Sequence, residues 1–346
     1  GTAGHVTPNM ALVPKLIDEG YNIYYIGSYE GMEKKLIEDI GVTYYGISSG
    51  KLRRYFSLQN FTDPFRVIKG FGEARKLIKS LKPDVIFSKG GFVSVPVVLA
   101  GKRCKVPVII HESDMTPGLA NKLAIPSAVK VCCNFPETLD ALPEGKAVLT
   151  GSPIRQELLT GDKDAARKMC GFTDEKPVIL VIGGSLGAVA VNEAVRAALP
   201  ELLKEFQIIH LCGKGKVDDS LKEIKGYCQF EYIKNELRDL FALADVVISR
   251  AGANAICELL ALRKPNLLIP LSARASRGDQ ILNAHSFERQ GFSLVIEEEQ
   301  LTNATLLDAV HNLYENREQF INAMHNSGQQ DPIATIIGLI EEAAAK

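Results

Sequence analysis

The sequence predicts an α/β protein made of two doubly wound domains, each built on a parallel sheet. Three observations indicate this class. Apolar, strand-like runs alternate with helical segments along the whole chain. Glycine-rich turns lead into predicted helices at Gly1–Gly4, Lys89–Gly91 and Gly183–Gly187. Finally, 346 residues that are 46% hydrophobic and 23% charged can form two sizeable cores.

The order of elements follows from these runs. In the first half, strands are predicted at Asn22–Ile26, Thr43–Gly46, Asp84–Ser88 and Val106–His111, and helices at Pro8–Glu19, Gly31–Asp39, Phe65–Leu81 and Val95–Lys102. In the second half, strands are predicted at Val178–Ile182, Ile208–Cys212, Phe230–Tyr232, Val246–Ser249 and Pro265–Ile269, and helices at Ala188–Phe206, Ala251–Leu262, from Asp279 and at Ala334–Ala345. Ligands bind such sheets at the carboxyl ends of the strands, so the residues that follow each strand are the candidates for function.

Charge is divided unevenly along the chain. Residues 1–155 hold 20 Lys and Arg against 14 Asp and Glu, a balance of +6, whereas residues 156–346 hold 20 against 27, a balance of −7. The first half is therefore expected to meet an anionic partner. A nucleic acid is not expected, because the chain is nearly neutral overall and lacks a sustained basic stripe.

Seven cysteines occur without the Cys-x-x-Cys spacing of a metal site, and they are interpreted as buried thiols of a reducing compartment. No apolar run approaches the roughly 18 residues that cross a bilayer, so a soluble or peripheral protein is expected.

Asp162 and Asp164 form an Asp-x-Asp pair, which some transferases use to hold a divalent metal. Here the pair opens a predicted helix, Asp164–Met169, so it is interpreted as a helix cap, and neither a metal nor a cofactor is predicted.

Aromatic and basic residues are interleaved between Leu52 and Lys76. The aromatic members are Tyr55, Phe56, Phe61, Phe65 and Phe71, and the basic members are Arg53, Arg54, Arg66, Lys69, Arg75 and Lys76. This mixture is typical of a surface that meets anionic lipid head groups. The alternative is an amphipathic helix whose aromatic side chains belong to the core.

The stretch Ser249–Ala284 is the most informative for function. A strand and a Gly-containing turn lead into a helix that carries Glu258, and a second strand leads into a helix that opens with Asp279 and Gln280. Carboxylate and amide groups at such positions can bind the hydroxyls of a ribose or a sugar. The alternative is an ordinary amphipathic helix with a solvated Glu258.

The glycine turns at Gly90–Gly91 and Gly184 resemble phosphate-binding loops, although the spacing at Gly184 differs from that of dehydrogenases.

Six motifs occur in the order found in one known family. They are GTAGHVTP, SKGGFVSVP, HESDMTPGLANK, TGSPIR, GGSLGAVAVNE and RAGANAICE with its downstream SRGDQILNA, and they run from Gly1 to the C-terminal helix. In these motifs the chain resembles the MurG family, within glycosyltransferase family 28. The resemblance implies the GT-B architecture, two Rossmann-like domains facing a cleft, with the opening strand of the first sheet absent from this sequence. It implies an acceptor and membrane-associating domain at 1–152, a UDP-sugar domain at 153–331, and a C-terminal helix at 332–346 that packs back on the first domain.

The resemblance also implies an activity. Members of this family are inverting enzymes that transfer N-acetylglucosamine from UDP-N-acetylglucosamine to the 4-hydroxyl of the muramoyl sugar of lipid I, forming lipid II. The expected partners are UDP-N-acetylglucosamine, lipid I, an anionic membrane surface at the cytoplasmic face of the cell membrane, and other proteins of cell-wall synthesis and division. The alternatives are a glycolipid-forming transferase of the same architecture, a UDP-N-acetylglucosamine 2-epimerase, and a nucleotide-binding module without catalysis.

Site residues are expected at the matching positions. The acceptor and its diphosphate are expected at Thr2, Gly4, His5, Gly90, Gly91, Ser94 and Asn121. The donor is expected at Thr2, Gly4, His5, Arg155, Gly184, Ser185, Ile233, Ala253, Asn254, Glu258, Asp279 and Gln280.

One residue must take the proton of the acceptor hydroxyl, and a histidine titrating near neutral pH suits that task. Of the six histidines, only His5 and His111 are predicted at the sheet edge of the first domain. His5 is the preferred base because it follows the first glycine turn, and the family places a histidine there. Glu112 and Asp114 remain alternatives, and a carboxylate at this point could equally cap the predicted helix Pro117–Leu123.

Overall fold

A computed structural model describes residues 3–50, 59–173, 176–184, 188–329 and 331–345. The chain divides into two compact units. Unit 1 comprises Gly1–Arg155 together with Asp331–Lys346, and unit 2 comprises Gln156–Gln330. Unit 1 is therefore assembled from both ends of the chain, with unit 2 inserted between them.

Unit 1 alternates strands and helices. Its strands are β1 (Tyr24–Ser28), β2 (Thr43–Ile47), β3 (Ile86–Ser88), β4 (Val108–Glu112), β5 (Lys130–Cys133) and β6 (Ala147–Leu149). Its helices are α1 (Ala3–Asp18), α2 (Met32–Asp39), α3 (Gln59–Leu81), α4 (Ser94–Arg103), α5 (Leu119–Ala124), α6 (Pro136–Asp140) and α14 (Pro332–Ala344). The strands form a two-stranded sheet, β1-β2, and a four-stranded sheet, β3-β4-β5-β6, and every pair is parallel.

Both faces of the four-stranded sheet are covered by helices. Ile109 of β4 packs on one face with Leu12 of α1 and Ile336 of α14. Its neighbours Val108 and Ile110 pack on the other face with Val98 of α4. All five residues of β4 are buried, which explains why its first three residues, Val, Ile and Ile, are apolar in succession rather than alternating with polar ones.

Unit 2 holds a single six-stranded sheet. Its strands are β7 (Val178–Ile182), β8 (Gln207–Leu211), β9 (Tyr227–Phe230), β10 (Val246–Ser249), β11 (Asn266–Leu268) and β12 (Ser293–Val295). Its helices are α7 (Lys163–Cys170), α8 (Val189–Glu205), α9 (Leu237–Leu243), α10 (Ala253–Ala261), α11 (Asp279–Arg289), α12 (Asn303–Glu315) and α13 (Arg317–His325). The strand order is β12-β11-β10-β7-β8-β9, all parallel, as in a doubly wound sheet. The predicted α/β class with two parallel-sheet domains is confirmed.

The structure corrects the predicted start of α1 and the predicted bounds of β9, and it confirms the predicted helix cap at Asp162. Helix α1 begins at Ala3, so His5 lies in its first turn rather than before a helix starting at Pro8. The prediction of a strand at Phe230–Tyr232 was wrong, because β9 ends at Phe230 and Tyr232 is 60% exposed. The capping role of Asp162 is confirmed: its carboxylate accepts hydrogen bonds from the backbone N–H groups of Asp164 and Ala165.

Candidate functional site

His5 lies at the carboxyl-end edge of the unit 1 sheet, in the first turn of α1, and its ring is half-buried. Burial lowers the pKa of this histidine, and the positive charge of Lys89 lowers it further. A Cβ atom placed on Gly91 would lie 4.0 Å from His5 Cδ2, so the histidine and the second glycine turn are neighbours. Gly4 precedes His5 on an exposed part of the same turn, whereas Thr2 lies outside the described residues.

The turn between β3 and α4 has the backbone that only glycine adopts readily. Gly90 and Gly91 have φ angles of +92° and +86°. The hydroxyl of Ser94 donates a 2.6 Å hydrogen bond to the carbonyl of Gly91, which ties the turn to the first residue of α4. A Cβ atom on Gly90 would lie 2.9 Å from Asn121 Oδ1. Side chains from two further segments therefore pack closely against this turn.

Glu112, at the end of β4, is a buried carboxylate that organises the following loop. Its Oε1 accepts a hydrogen bond from the Asp114 amide at 2.9 Å, and its Oε2 accepts from the Gly118 amide at 3.2 Å and from Asn121 Nδ2 at 2.7 Å. Burial raises the pKa of this carboxyl, and the hydrogen bond from Asn121 opposes the rise. These contacts favour a structural role for Glu112, since they bind it to the loop that starts α5.

Lys89 was not singled out by the sequence analysis, yet it joins three segments at this edge. Its side chain is 3% exposed. The Nζ atom lies 2.8 Å from His111 Nδ1, 2.7 Å from Ser113 Oγ and 3.4 Å from Ser152 Oγ. The only sequence signal was a lysine placed directly between a strand and a glycine turn.

The contacts of His111 define its protonation. Its Nε2 lies 2.8 Å from the carbonyl oxygen of Gly151, which can only accept, so Nε2 carries the hydrogen. Nδ1 then accepts from the Lys89 ammonium. Burial, together with the charge of Lys89, holds the pKa of His111 well below its usual range. His111 is therefore a neutral structural group at this edge.

In unit 2, the loops after β10 and β11 meet. A Cβ atom on Gly252, the residue before α10, would lie 3.9 Å from Gln280 Nε2 at the start of α11. The Oε1 atom of Gln280 accepts a 2.9 Å hydrogen bond from the Leu271 amide, and Asn283 Nδ2 lies 3.4 Å from the Ala251 carbonyl. Two helix N-termini are thus held side by side at one sheet edge.

Five predicted donor residues lie at or near the N-termini of these two helices. Ala253 and Asn254 form the first turn of α10, and Glu258 lies one turn further along. Asp279 opens α11 beside Gln280. All five side chains are half-buried, so each retains access to solvent.

Arg250 is a second residue that the sequence analysis did not assign. Its Nη1 donates to the carbonyls of Ile269 and Pro270 at 3.0 and 3.2 Å, and its Nη2 lies 2.7 Å from Glu298 Oε1. The other oxygen of Glu298 accepts from the Ser272 amide at 3.0 Å. This ion pair fixes the loop that leads from β11 to α11.

The remaining donor candidates are more dispersed. Gly184 follows β7 with a φ of +90° and is exposed, while Ser185 lies outside the described residues. Ile233 is half-buried in the loop three residues beyond the end of β9. Arg155, also half-buried, is the last residue of unit 1 before the chain enters unit 2. The described residues contain no group of three or more His, Cys, Asp or Glu side chains that could hold a metal ion.

The basic and aromatic segment is only partly described, since Tyr55 and Phe56 lie outside the described residues. On α3, Phe65 is 73% exposed and Ile68 is 67% exposed. Arg66 and Lys69 are exposed on the same helix. Phe71 is different, because it packs against the core cluster that contains Ile78 and Val97, and the core interpretation is therefore correct for that residue. None of the helices within the described ranges is long and apolar enough to cross a membrane.

Two domain families and several known proteins match this chain in sequence. The N-terminal domain of glycosyltransferase family 28 matches residues 1–133, and its C-terminal domain matches residues 178–337. A UDP-N-acetylglucosamine–N-acetylmuramyl-(pentapeptide) pyrophosphoryl-undecaprenol N-acetylglucosamine transferase from Lachnoclostridium phytofermentans is 67% identical over 346 residues, which cover 100% of this chain and 98% of the relative. The protein of the same name from Clostridium tetani is 58% identical over 342 residues, covering 99% and 96% of the two chains.

Solved structures give the same answer for the fold. The crystal structure of Acinetobacter baumannii MurG has a TM-score of 0.78 and 27% identity, covering 99% of this chain and 97% of that chain. The UDP-GlcNAc 2-epimerase of Methanocaldococcus jannaschii has a TM-score of 0.69 at 13% identity, covering 99% and 98%, and shares the fold alone. Because the family domains match most of the sequence and the curated relatives match it from end to end, this chain belongs to glycosyltransferase family 28.

Proposed function

We propose that this protein transfers N-acetylglucosamine from UDP-N-acetylglucosamine to the 4-hydroxyl of the N-acetylmuramoyl sugar of undecaprenyl-diphospho-N-acetylmuramoyl-pentapeptide (lipid I), giving lipid II. The observation that carries the proposal is the 67% identity, over the whole chain, to a transferase whose name specifies this sugar and this lipid-linked acceptor. The 2-epimerase alternative shares only the fold, at 13% identity.

In the proposed reaction, unit 1 binds the acceptor. The first turn of α1 and the Gly90–Gly91 turn lie at one sheet edge, where backbone N–H groups favour an anionic group such as the lipid diphosphate. His5 takes the proton from the 4-hydroxyl as that oxygen attacks C1 of the donor sugar. The bond between C1 and the UDP oxygen breaks, the electron pair leaves with UDP, and the anomeric configuration inverts. The lowered pKa of His5 keeps its ring neutral and ready to accept the proton at neutral pH.

The donor is proposed to bind unit 2. Glu258 accepts hydrogen bonds from the ribose hydroxyls, while Asp279 and Gln280 bind hydroxyls of the transferred sugar. The contact between Gly252 and Gln280 supports this assignment, since it places these side chains on adjacent helix starts. Ala253, Asn254, Gly184, Ser185, Arg155 and Ile233 are also assigned to the donor, as are Thr2, Gly4 and His5.

Lipid I is a membrane lipid, and the exposed side chains of α3 fit a peripheral attachment to the cytoplasmic leaflet. Phe65 and Ile68 would enter the head-group region, and Arg66 and Lys69 would meet anionic lipids. Contacts with other proteins of cell-wall synthesis and division belong to the same proposal.

One transfer assay tests the function. The full chain is incubated with radiolabelled UDP-N-acetylglucosamine and a short-chain lipid I analogue, and label in the lipid product is measured. Parallel reactions use diacylglycerol as acceptor or no acceptor. Label in the lipid I product alone is the expected result. Label in diacylglycerol would indicate a glycolipid synthase, and conversion of the donor to its 2-epimer without acceptor would indicate the epimerase.

A further inference from the structure

Three successive glutamates, Glu297–Glu299, follow β12 at the carboxyl-end edge of the unit 2 sheet and are called here the glutamate segment. Glu298 contacts both Arg250 and the backbone amide of Ser272. Glu299 Oε1 accepts a 2.6 Å hydrogen bond from the hydroxyl of Ser272. Ser272 is 8% exposed. The segment therefore holds the loop between β11 and α11 at a buried serine.

Side chains bind the backbone of that loop at four consecutive residues, Ile269–Ser272. Arg250 Nη1 donates to the carbonyls of the first two, Gln280 Oε1 accepts from the amide of the third, and Glu298 Oε2 accepts from the amide of the fourth, at 2.9 to 3.2 Å. Because Oε1 of Gln280 binds the loop, its Nε2 atom is the end that lies near the start of α10. The loop thus sets the orientation of the Gln280 amide.

The glutamate segment also holds α11 itself, through His285. Nε2 of this histidine lies 2.8 Å from Glu297 Oε1, and Nδ1 lies 2.8 Å from Glu288 Oε2. Carboxylates only accept hydrogen bonds, so both ring nitrogens carry a hydrogen and the ring is cationic. The hydrogen bond to Glu297 raises the pKa of His285 most, burial opposes this rise, and Glu288 adds to it.

We propose that Glu298 and His285 are positioning residues for the transferred sugar of the donor. This inference rests on the proposed function, in which Gln280 binds hydroxyls of that sugar. Glu298 fixes the loop that orients the Gln280 amide, and His285 fixes the helix that carries it. The N-cap of α11 is Gly278, which has no side chain to cap the helix, so these contacts support its start. The nucleotide is assigned to Glu258 on α10 and should bind almost as well without them.

Titration of His285 should make sugar binding depend on pH. The groups that face it are Glu288 of its own helix and Glu297 of the glutamate segment. As the pH rises above the ordinary value of 6.5 and through the raised pKa, one ring nitrogen loses its hydrogen and its contact. Affinity for the sugar should therefore fall over this range. The pKa of His5 is lowered instead, so His5 titrates at lower pH.

The test measures binding of UDP-N-acetylglucosamine and of UDP to the full chain by calorimetry, without an acceptor. The variants are Glu298→Gln and His285→Gln, which replace each charged side chain with a neutral one of similar size. The control is His311→Gln. His311 Nε2 of α12 lies 3.3 Å from Glu205 Oε1 of α8, so it forms a comparable pair in the same unit.

Both variants should bind UDP-N-acetylglucosamine about tenfold more weakly or worse, while their affinity for UDP stays within about threefold of the native value. In the native chain and in His311→Gln, affinity for UDP-N-acetylglucosamine should fall between about pH 6.5 and about pH 8.5. In His285→Gln the weakened affinity should not depend on pH. Without ligand, amide exchange in Glu298→Gln should quicken across residues 269–283 and stay unchanged in β7.

Three outcomes would overturn the proposal. Equal losses of affinity for UDP and UDP-N-acetylglucosamine would show that the two residues support unit 2 as a whole rather than sugar recognition. Native donor affinity in both variants would show that these contacts are not needed for binding. The native pH dependence in His285→Gln would remove His285 as a positioning residue. Because donor binding is read without an acceptor, these outcomes are independent of whether transfer to lipid I succeeds.

Discussion

Lys89 Nζ lies 2.8 Å from His111 Nδ1, and this buried contact joins the end of β3 to β4 at the edge where His5 lies. The lysine places a positive charge near His5 and lowers the pKa of that histidine. It also supplies the partner that the buried His111 ring needs. One side chain therefore affects both the architecture and the proton chemistry of this edge.

Replacing this lysine should change the pH dependence of transfer. In Lys89→Met the pKa of His5 rises, because the positive charge that lowered it is gone. A base works only when neutral, so the acidic limb of the kcat/KM profile should move to higher pH. Stability should fall by about 1–3 kcal/mol, since His111 loses a buried partner. Lys34→Met, at an exposed lysine of α2, is the control. A profile identical to that of the control would contradict the electrostatic role.

His5 itself should control the rate of the chemical step. His5→Ala and His5→Gln should lower kcat by about 10²- to 10⁴-fold, because neither side chain can take the acceptor proton. Because His5 is also assigned to the donor, turnover is measured at saturating concentrations of both substrates, so that the loss reports the chemical step. His325→Gln, at an exposed histidine of α13, is the matched control. Near-native turnover in both His5 variants at saturating substrates would remove His5 as the base.

Glu258 should contribute to donor affinity rather than to chemistry. Removing a carboxylate that binds two ribose hydroxyls costs roughly 1.5–3 kcal/mol, so Glu258→Ala should bind UDP about tenfold to a hundredfold more weakly. The comparison is Glu201→Ala, on an exposed face of α8 in the same unit. If the two variants bind UDP equally well, Glu258 is an ordinary solvated helix residue.

Gly90 should tolerate no side chain. An alanine would have to adopt a φ of +92°, at a cost of about 1–3 kcal/mol, and its Cβ would press against Asn121. Gly90→Ala should therefore lower the melting temperature and raise the KM for the acceptor. Gly118→Ala is the control, because its φ is −68° and its Cβ would meet open space. Equal behaviour of the two variants would show that the turn is less constrained than its geometry indicates.

Exposed side chains of α3 should determine membrane binding. A variant with Phe65, Arg66, Ile68 and Lys69 all changed to Ala should be recovered less in flotation with anionic vesicles, since each basic group near the surface contributes about 1 kcal/mol. Phe71 is left unchanged because it belongs to the core. The control changes Lys163, Lys168 and Met169, exposed on α7, to Ala. Equal recovery of both variants and the native chain would refute the membrane role of α3.

The sequence predicted the buried strands well and the site contacts only in part. Val178–Ile182 and Val246–Ser249 were predicted at their observed bounds, because fully buried parallel strands read as short, continuous runs of β-branched residues. The predicted strand at Phe230–Tyr232 shares only Phe230 with β9, since β9 lies at the edge of its sheet, where burial is incomplete and the apolar pattern is weak.

The contacts of Lys89 could not be predicted from the sequence, for a different reason. His111 and Ser152 lie 22 and 63 positions away along the chain, so the contacts exist only once β3, β4 and the segment after β6 are assembled. No local pattern marks a lysine for burial. The Glu258 and Gln280 helices were easier to place, because each is the next helix after a predicted strand and both strands end at one sheet edge.

The last helix of the chain, α14, packs in unit 1 against Leu12 of α1 and Ile109 of β4. During translation these surfaces leave the ribosome early, but the helix that packs against them is made only after the whole of unit 2. Unit 2, in contrast, is one uninterrupted stretch and can fold as soon as Gln330 has emerged. The nascent chain should therefore complete its second unit before its first. Until α14 has emerged, the part of unit 1 that this helix covers stays open to chaperones.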